Sequence, residues 1–293
     1  MDETKKYETA SGIPLKVTYT PEDIKGLDYK RDLGNPGEFP FTRGIHADMY
    51  RGRLWTRRSQ IGFGTPKLTH ERVVKLYEEG QTGFTLTIDL PTSYGFDSDE
   101  PIAEGEVGVT GVPLSTWEDF DVVLGELSPE NTTISLSLRP PVSAVGLAMY
   151  IICAEKRGVD LKKVMGTIQD DPLFQMAGGP IQTITEYFPL DGIYRLAVDV
   201  VEFCVKNMPR MNYMLANGYN LRETGLNAVQ EAAFALASTI DIMRMALARG
   251  LKVDDVARRV SFFHSAHRDF FEEIAKYRAM RRLWAKLMKE LGV

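Results

Sequence analysis

The stretch LTHERVVKLYEEGQTGFTLTIDLPTS, residues 68–93, decides the class of fold. A helix-forming run, LTHERVVKLYEEG, closes on Gly80 and leads into GFTLTIDL, a short segment rich in β-branched and aromatic residues that reads as a strand. The same alternation recurs downstream. A helix opens at Ser115-Thr116-Trp117-Glu118, whose Ser-x-x-Glu spacing fits a capping box. The strand TTISLSL follows, then the helix SAVGLAMYIICAEKRG, the strand KVMGTIQ and the helix DGIYRLAVDVVEFCVKN. The strand MNYMLANGY, the helix VQEAAFALASTIDIMRMALARG, the strand RRVSFFHS and the helix DFFEEIAKYRAMRRLWAKLMKEL complete the series. Strands alternating with amphipathic helices imply right-handed parallel βαβ units, and five strands stand in that rhythm.

Five parallel strands suit an open doubly wound sheet or most of an eight-stranded barrel. No Gly-x-Gly-x-x-Gly or P-loop follows the first strand, which weakens the nucleotide-binding open sheet. The expected fold is α/β, a parallel (β/α) barrel of the TIM type holding about five of eight strands. Polar residues stand at several strand ends: Asp89 with Pro91-Thr92-Ser93, Gln169-Asp170-Asp171, Gly218-Tyr219-Asn220, and Ser261 with His264. In either fold such carboxyl-end loops form the ligand face.

Upstream, residues 1–40 are rich in charge, Pro and Gly without sustained periodicity and read as an extended arm. The expected division is an arm with a ligand-binding segment over 1–65 and a partial barrel over 66–293. The 293 residues carry a net charge of −5, so no whole-molecule attraction to nucleic acid or an anionic membrane is expected, and any anion site must be local. Cys153 and Cys204 sit in apolar helical stretches, which suits free thiols in a reducing cytoplasm. The polar start MDETKKYETASG lacks a signal-peptide core, and no apolar run approaches a membrane span.

The densest candidate cluster lies in residues 41–65, FTRGIHADMYRGRLWTRRSQIGFGT, where Arg43, Arg51, Arg53, Arg57 and Arg58 surround Trp55. Guanidinium forks beside an aromatic plane suit a phosphorylated, ring-bearing ligand such as coenzyme A; a solvated or oligomer-facing basic loop is the other reading. His264 and His267 at i, i+3 fall short of the three or four ligands a metal site needs, so no metal is expected. Asp170-Asp171 suggests a cation site or acid–base pair, but adjacent residues at a strand end point apart, which favours a helix cap. Ser93, Ser98 and Ser261 lie in no nucleophile elbow.

These residues belong to longer blocks: PGEFPFTRG with DMYRGRLWTRR and GFGT, IDLPTSYGFDSD, EGEVGVTGV, GTIQDD, NGYNLRETG and RRVSFFHSAHRDFFEEIAKYRAMRRLWAKLMKE. The sequence resembles, almost end to end, the large substrate-binding chain of the methylmalonyl-CoA mutase family, including its 2-hydroxyisobutyryl-CoA and isobutyryl-CoA mutase relatives. The resemblance implies an isomerase: an eight-stranded barrel pierced by the pantetheine arm of an acyl-CoA, whose thioester meets adenosylcobalamin held mainly by a cobalamin-binding domain or subunit. The cofactor carries the radical chemistry and the protein supplies orientation and shielding. By match to the family, Arg53, Thr56 and Arg58 contact CoA in the arm, and Arg259 and Ser261 contact its tail. Thr85, Gln169 and Tyr219 occupy pocket positions, Ile88 and Leu90 face the corrin, and Glu223 lies near the adenosyl ribose.

The departures from the family are specific. Asn220 stands where the family has its catalytic histidine, and an amide donates a hydrogen bond but does not titrate near neutrality. Gln60 replaces the pocket tyrosine, and Ser93 the corrin-facing histidine. The arginine that clamps a substrate carboxylate falls in QMAGGPIQTITEYFP, residues 175–189, which holds none. Methylmalonyl-CoA is therefore expected to be a poor substrate and an uncharged or hydroxylated acyl group a better one. Five strands would leave unpaired edges at TLTIDL and VSFFHS, so a further chain completing the barrel and an oligomer are expected. The rival readings are a non-catalytic relative that binds acyl-CoA or scaffolds a partner, and a truncated product without independent activity.

Overall fold

The computed structural model describes residues 7–173 and 188–293. The chain divides into two compact units. One comprises the residues up to Trp55 with Gly218–Ala237 and His264–Val293; the other comprises Thr56–Asn217 with Ser238–Phe263.

The second unit carries the sheet. Five strands run in the order β1 (Arg58–Ile61), β2 (Gly83–Leu86), β3 (Thr133–Leu136), β4 (Gly166–Ile168) and β5 (Met211–Asn212), every neighbouring pair parallel. The chain resumes beyond Tyr213 as β6 (Met214–Asn217), which pairs in parallel with β7 (Val260–Phe263). Helices α1 (Pro66–Glu78), α2 (Leu90–Tyr94), α3 (Trp117–Leu124), α4 (Val142–Lys156) and α5 (Leu190–Asn207) connect the strands. Then come α6 (Gly218–Glu223), α7 (Ala228–Ala248), α8 (Val253–Ala257) and α9 (Phe270–Glu290). Parallel strands joined by helices make this part of a (β/α) barrel, in agreement with the expected class.

Local chemistry sets the element ends. Thr65 caps α1 by accepting from the Leu68 amide at 3.3 Å, with Pro66 at the first helical position where its missing N–H costs nothing. The capping box of α3 is real but lies one residue later than the sequence pattern suggests: Thr116 caps and Asp119 reaches back to the Thr116 amide at 2.9 Å. Two overlapping boxes compete there, and Asp119 also takes the Ser115 amide at 3.1 Å, which the longer Glu118 does not.

On the helix side of the sheet, α1 packs on α3, α3 on α4 and α4 on α5. Phe120 and Tyr150 are wholly buried between α3 and α4 with ring centroids 5.4 Å apart, and the Tyr150 hydroxyl donates to Met165 O at 3.0 Å. Each such ring contributes about 1.5–3 kcal/mol by burial. Arg157 ties the ends of α3 and α4 together, donating to Asp121 Oδ1 at 2.6 Å and to the Gly125 and Leu127 carbonyls at 2.7 and 2.9 Å.

Two expectations change. The segment Arg58–Ile61, expected within the arm, is a strand, so TLTIDL is no edge: β2 pairs with β1 on one side and β3 on the other. RSQI has one buried apolar residue, Ile61, inside an arginine-rich run, and so gives no period-two signal of its own. MNYMLANGY is interrupted at Tyr213, whose hydroxyl donates to the Asp255 and Val256 carbonyls at 2.8 Å beside α8. The two thiols are buried and free.

In the first unit the arm is tied to α9. Arg281 donates to the Phe41 and Thr42 carbonyls at 3.1 and 2.9 Å, and Arg282 to the Asp32 carboxylate at 3.2 Å. Tyr50 and Trp55 meet edge to face at 5.2 Å, with Trp55 61% exposed. No helix among the described residues is long and apolar enough to cross a membrane.

Candidate functional site

Residues paired in register along a parallel ladder point to the same side of the sheet. The register therefore aligns Gln60, Thr85, Ser135, Thr167 and Asn212 in one row across five strands. One step towards the strand starts, the same face carries Arg58, Gly83 and Thr133. Alternation along each chain adds Thr87, Ser137 and Gln169 towards the strand ends.

The opposite face is apolar: Phe84, Leu86, Ile134, Leu136 and Ile168 are each at most 1% exposed against the helices. A parallel barrel ordinarily fills its inner face with layers of Val, Ile and Leu. Here glycine, hydroxyl and amide side chains take those places. They occupy less volume than branched aliphatics, and their hydroxyl and amide groups are hydrogen-bond donors and acceptors. A cavity of about 290 Å³ on the helix side, lined by residues such as Leu114, Leu138 and Val142, is by contrast apolar.

At the strand-start end, the half-buried Arg58 donates to the Thr133 hydroxyl, while burial lowers its pKa against the opposing influence of the Tyr77 phenol. A cation is thus held at the mouth of the polar row. Arg259, half-buried before β7, has no hydrogen-bond partner for its Nε among the described residues, and Ser261 donates to Met214 O at 3.2 Å in the adjacent ladder. Thr56 is half-buried at the start of the same unit, whereas Arg53 is exposed in the first unit.

At the strand-end side, Asp89 is wholly buried and caps α2, accepting from the Thr92 amide at 3.0 Å and the Gly108 amide at 2.9 Å. That bond fixes the loop running through Gly111, where a Cβ would come within 2.2 Å of the Ile88 backbone. Ile88 is 6% exposed and bridges Val112, Leu90 is 37% exposed, and Ser93 donates to Asp89 O at 2.7 Å.

Gln169 is half-buried beyond β4, its amide donating to Leu136 O at 3.2 Å. The acidic pair after it divides as adjacent strand residues must. Asp171 accepts from the Leu173 and Asn217 amides and from the Ser238 hydroxyl at 3.0, 2.7 and 2.7 Å, as a structural cap does. Asp170 is wholly buried; desolvation pushes its carboxyl well above the usual range, with Ser143 the opposing neighbour, and neither oxygen makes a hydrogen bond of ordinary length.

In the first unit, α6 carries Tyr219 at its exposed start, Asn220 half-buried, and Glu223 exposed. Behind these residues lies a buried ionic network that the sequence did not announce. Glu231, with no exposed surface, accepts from His264 Nδ1 at 3.1 Å, the Ser265 amide at 2.9 Å and Lys276 Nζ at 2.7 Å. Burial alone would raise its carboxyl, but those donors bring it down to about 2. Lys276 also meets Glu273 at 2.5 Å, and Arg222 of α6 lies 3.9 Å from Glu231 and 3.7 Å from Glu273. His264 is a member of this buried network, while His267 is exposed. Among the described residues no three His, Cys, Asp or Glu side chains gather around a metal position.

The second unit thus brings Arg58, Gln60, Thr85 and Gln169 onto one face; Tyr219, Asn220, Glu223 and Arg53 belong to the first. The polar row itself was legible but unread: Thr85 and Thr87 in GFTLTIDL, and Thr133, Ser135 and Ser137 in TTISLSL, alternate with apolar residues at period two. The clamp segment 175–189 lies, apart from Phe188 and Pro189, outside the described residues.

Residues 8–293 match the family model described as methylmalonyl-CoA mutase. The 2-hydroxyisobutanoyl-CoA mutase large subunit of Aquincola tertiaricarbonis is 40% identical over 287 residues, 98% of this chain and 50% of that protein. The methylmalonyl-CoA mutases of Cereibacter sphaeroides and Escherichia coli are 38% and 37% identical over 286 residues, 98% of this chain and 39% of each protein. The chain spans half or less of the length of these relatives.

Proposed function

The chain belongs to the methylmalonyl-CoA mutase family, and from that premise we propose that it is the acyl-CoA-binding chain of an adenosylcobalamin-dependent acyl-CoA mutase working with partner chains. The observation that carries this reading is the polar row Gln60, Thr85, Ser135, Thr167 and Asn212 where a barrel of this type ordinarily packs branched aliphatics. An extended, amide-bearing chain such as pantetheine matches that surface, because each amide needs a partner once it leaves water.

Arg58 at the strand starts would hold the CoA phosphates by charge-assisted hydrogen bonds, with Thr56, Arg259 and Ser261 of the same unit and Arg53 of the arm in supporting roles. Gln169 and Thr85 would orient the thioester and acyl group. Tyr219 and Asn220 of α6 take the pocket roles of their family positions, with the Asn220 amide donating a hydrogen bond to the thioester carbonyl without supplying a proton.

Adenosylcobalamin, when bound, would supply homolytic radical chemistry. The residues here fit an edge contact with it: the exposed Leu90 can support a flat macrocycle, and the exposed Glu223 can meet a ribose hydroxyl. Ile88 packs inward and the Ser93 hydroxyl is engaged by Asp89 O, so the main hold on the corrin is assigned to a cobalamin-binding subunit. That the Aquincola relative is a "large subunit" supports that division of labour.

A second reading, a non-catalytic acyl-CoA-binding relative, is favoured by Asn220 and Ser93 standing in place of two family histidines. Titration calorimetry with coenzyme A tests the shared part: binding is expected, and Arg58→Ala should weaken it by about 1.5–3 kcal/mol for the charged hydrogen bond lost. No heat of binding for wild type would sink both readings. Isomerisation of an acyl-CoA that needs both adenosylcobalamin and a cobalamin-binding partner would choose the enzyme.

A further inference from the structure

Helix α6, in the first unit, has two faces. Gly218, Leu221 and Arg222, spaced i, i+3 and i+4, are buried, whereas Tyr219, Asn220 and Glu223 share the other face by the same spacing and are half-buried or exposed. The buried face rests on the ionic network. A Cβ added to Gly218 would come within 2.6 Å of His264 Nδ1 and 2.9 Å of Glu231 Cγ, so the start of α6 lies directly against that pair. One turn later the Arg222 guanidinium stands 3.9 Å from the Glu231 carboxylate and 3.7 Å from that of Glu273, and donates to Leu226 O.

A helix of six residues is marginal by itself, so its direction is set by what holds its buried side. Lys276 bridges the two acids, 2.7 Å from Glu231 and 2.5 Å from Glu273. Two carboxylates thus meet two cations, and Arg222 is the member of that set which α6 itself supplies. Taking it away strands buried negative charge and releases the helix from its anchor.

Resting on the acyl-CoA reading above, we propose that Arg222 is a positioning residue: held between Glu231 and Glu273, it fixes the direction in which α6 presents Tyr219 and Asn220 to the acyl thioester. It acts through Asn220 and not on the ligand. A hydrogen bond weakens steeply once its donor tilts away from the acceptor, so a small rotation of a six-residue helix is enough to forfeit the Asn220 contact.

The test is calorimetry on the full chain with coenzyme A and isobutyryl-CoA, whose affinity ratio reads the acyl end alone. Wild type is expected to favour the thioester. Arg222→Met should lower the ratio about fivefold, equivalent to about 1 kcal/mol, while leaving coenzyme A affinity within about twofold, and Arg222→Lys should restore part of the ratio. Asn220→Ala should lower the ratio similarly, and adding Arg222→Met to it should lower the ratio no further, because two residues acting through one contact are not additive. A purely structural arginine would weaken both ligands together, or add its full effect to that of Asn220→Ala; either result overturns the proposal. Should Arg222→Met not fold, Gly218→Ala decides: it keeps every charge and suits a helix, yet pushes α6 off His264 and Glu231, and an unchanged ratio would refute the positioning role. Equal wild-type affinities for the two ligands would remove this inference alone; no binding of coenzyme A would remove the acyl-CoA reading with it.

Discussion

Replacing Asp170 by Asn should stabilise the protein by an amount that grows with pH. The native carboxyl is wholly buried, faces Ser143, Asp171 and Cys204, and is held protonated by desolvation, whereas in the unfolded chain it ionises near the ordinary aspartate value. A folded pKa raised above the unfolded one costs nothing while both states are protonated. The cost then accumulates as pH climbs through the unfolded pKa, at about 1.4 kcal/mol per pH unit, until the folded pKa is passed. Asn fills the same volume and does not titrate. Its amide brings its own burial penalty, but that penalty is the same at every pH, so the slope is diagnostic even where the offset is not.

The assay is urea unfolding of both proteins at pH 5, 6 and 7, following circular dichroism. The difference in unfolding free energy, variant minus wild type, should rise with pH across that window, by about 1.4 kcal/mol per unit at the most, against the roughly 5–15 kcal/mol that typically holds a protein folded. Groups elsewhere titrate in both proteins and cancel in the difference. A pH-independent difference would show that the carboxyl is already ionised in the folded state and that the burial argument is wrong.

Lys276→Met should destabilise by about 3–5 kcal/mol, because it strands the Glu231 and Glu273 carboxylates in a buried site; chemical denaturation measures it, and a loss below 1 kcal/mol would show the network is hydrated. Gly62→Ala should cost several kcal/mol in melting experiments, since its φ of 153° disfavours a side chain and the added Cβ would sit 1.9 Å from Thr87 O where β1 joins β2. Thr85→Leu should lower coenzyme A affinity more than about tenfold in calorimetry while changing the melting temperature little, as a branched aliphatic interrupts the polar row but suits a barrel interior; unaltered affinity would remove the polar row from the binding site.

What the sequence determined by itself was periodic and local. The strand TTISLSL and the helix run LTHERVVKLYEEG declare their type through spacing of apolar residues, and the pattern Ser115-Thr116-Trp117-Glu118 announces a helix start to within one residue. The long ordered blocks around Arg53–Arg58 and Arg258–Glu290 fixed the family, and with it the barrel. Tertiary structure decided what depends on register and on distant partners. RSQI became a strand because β2 offered it a parallel edge, not because of any pattern of its own. Asp170 and Asp171 look alike in the chain, yet one meets Asn217 and Ser238 and the other meets desolvation. Glu231 reads as an ordinary helical acid until His264 and Lys276, 33 and 45 residues away, close on it. The physical reason is the same in each case: propensity and periodicity are written within one turn or one strand, whereas burial, charge pairing and the choice of inner face are set by neighbours that only the folded chain brings together.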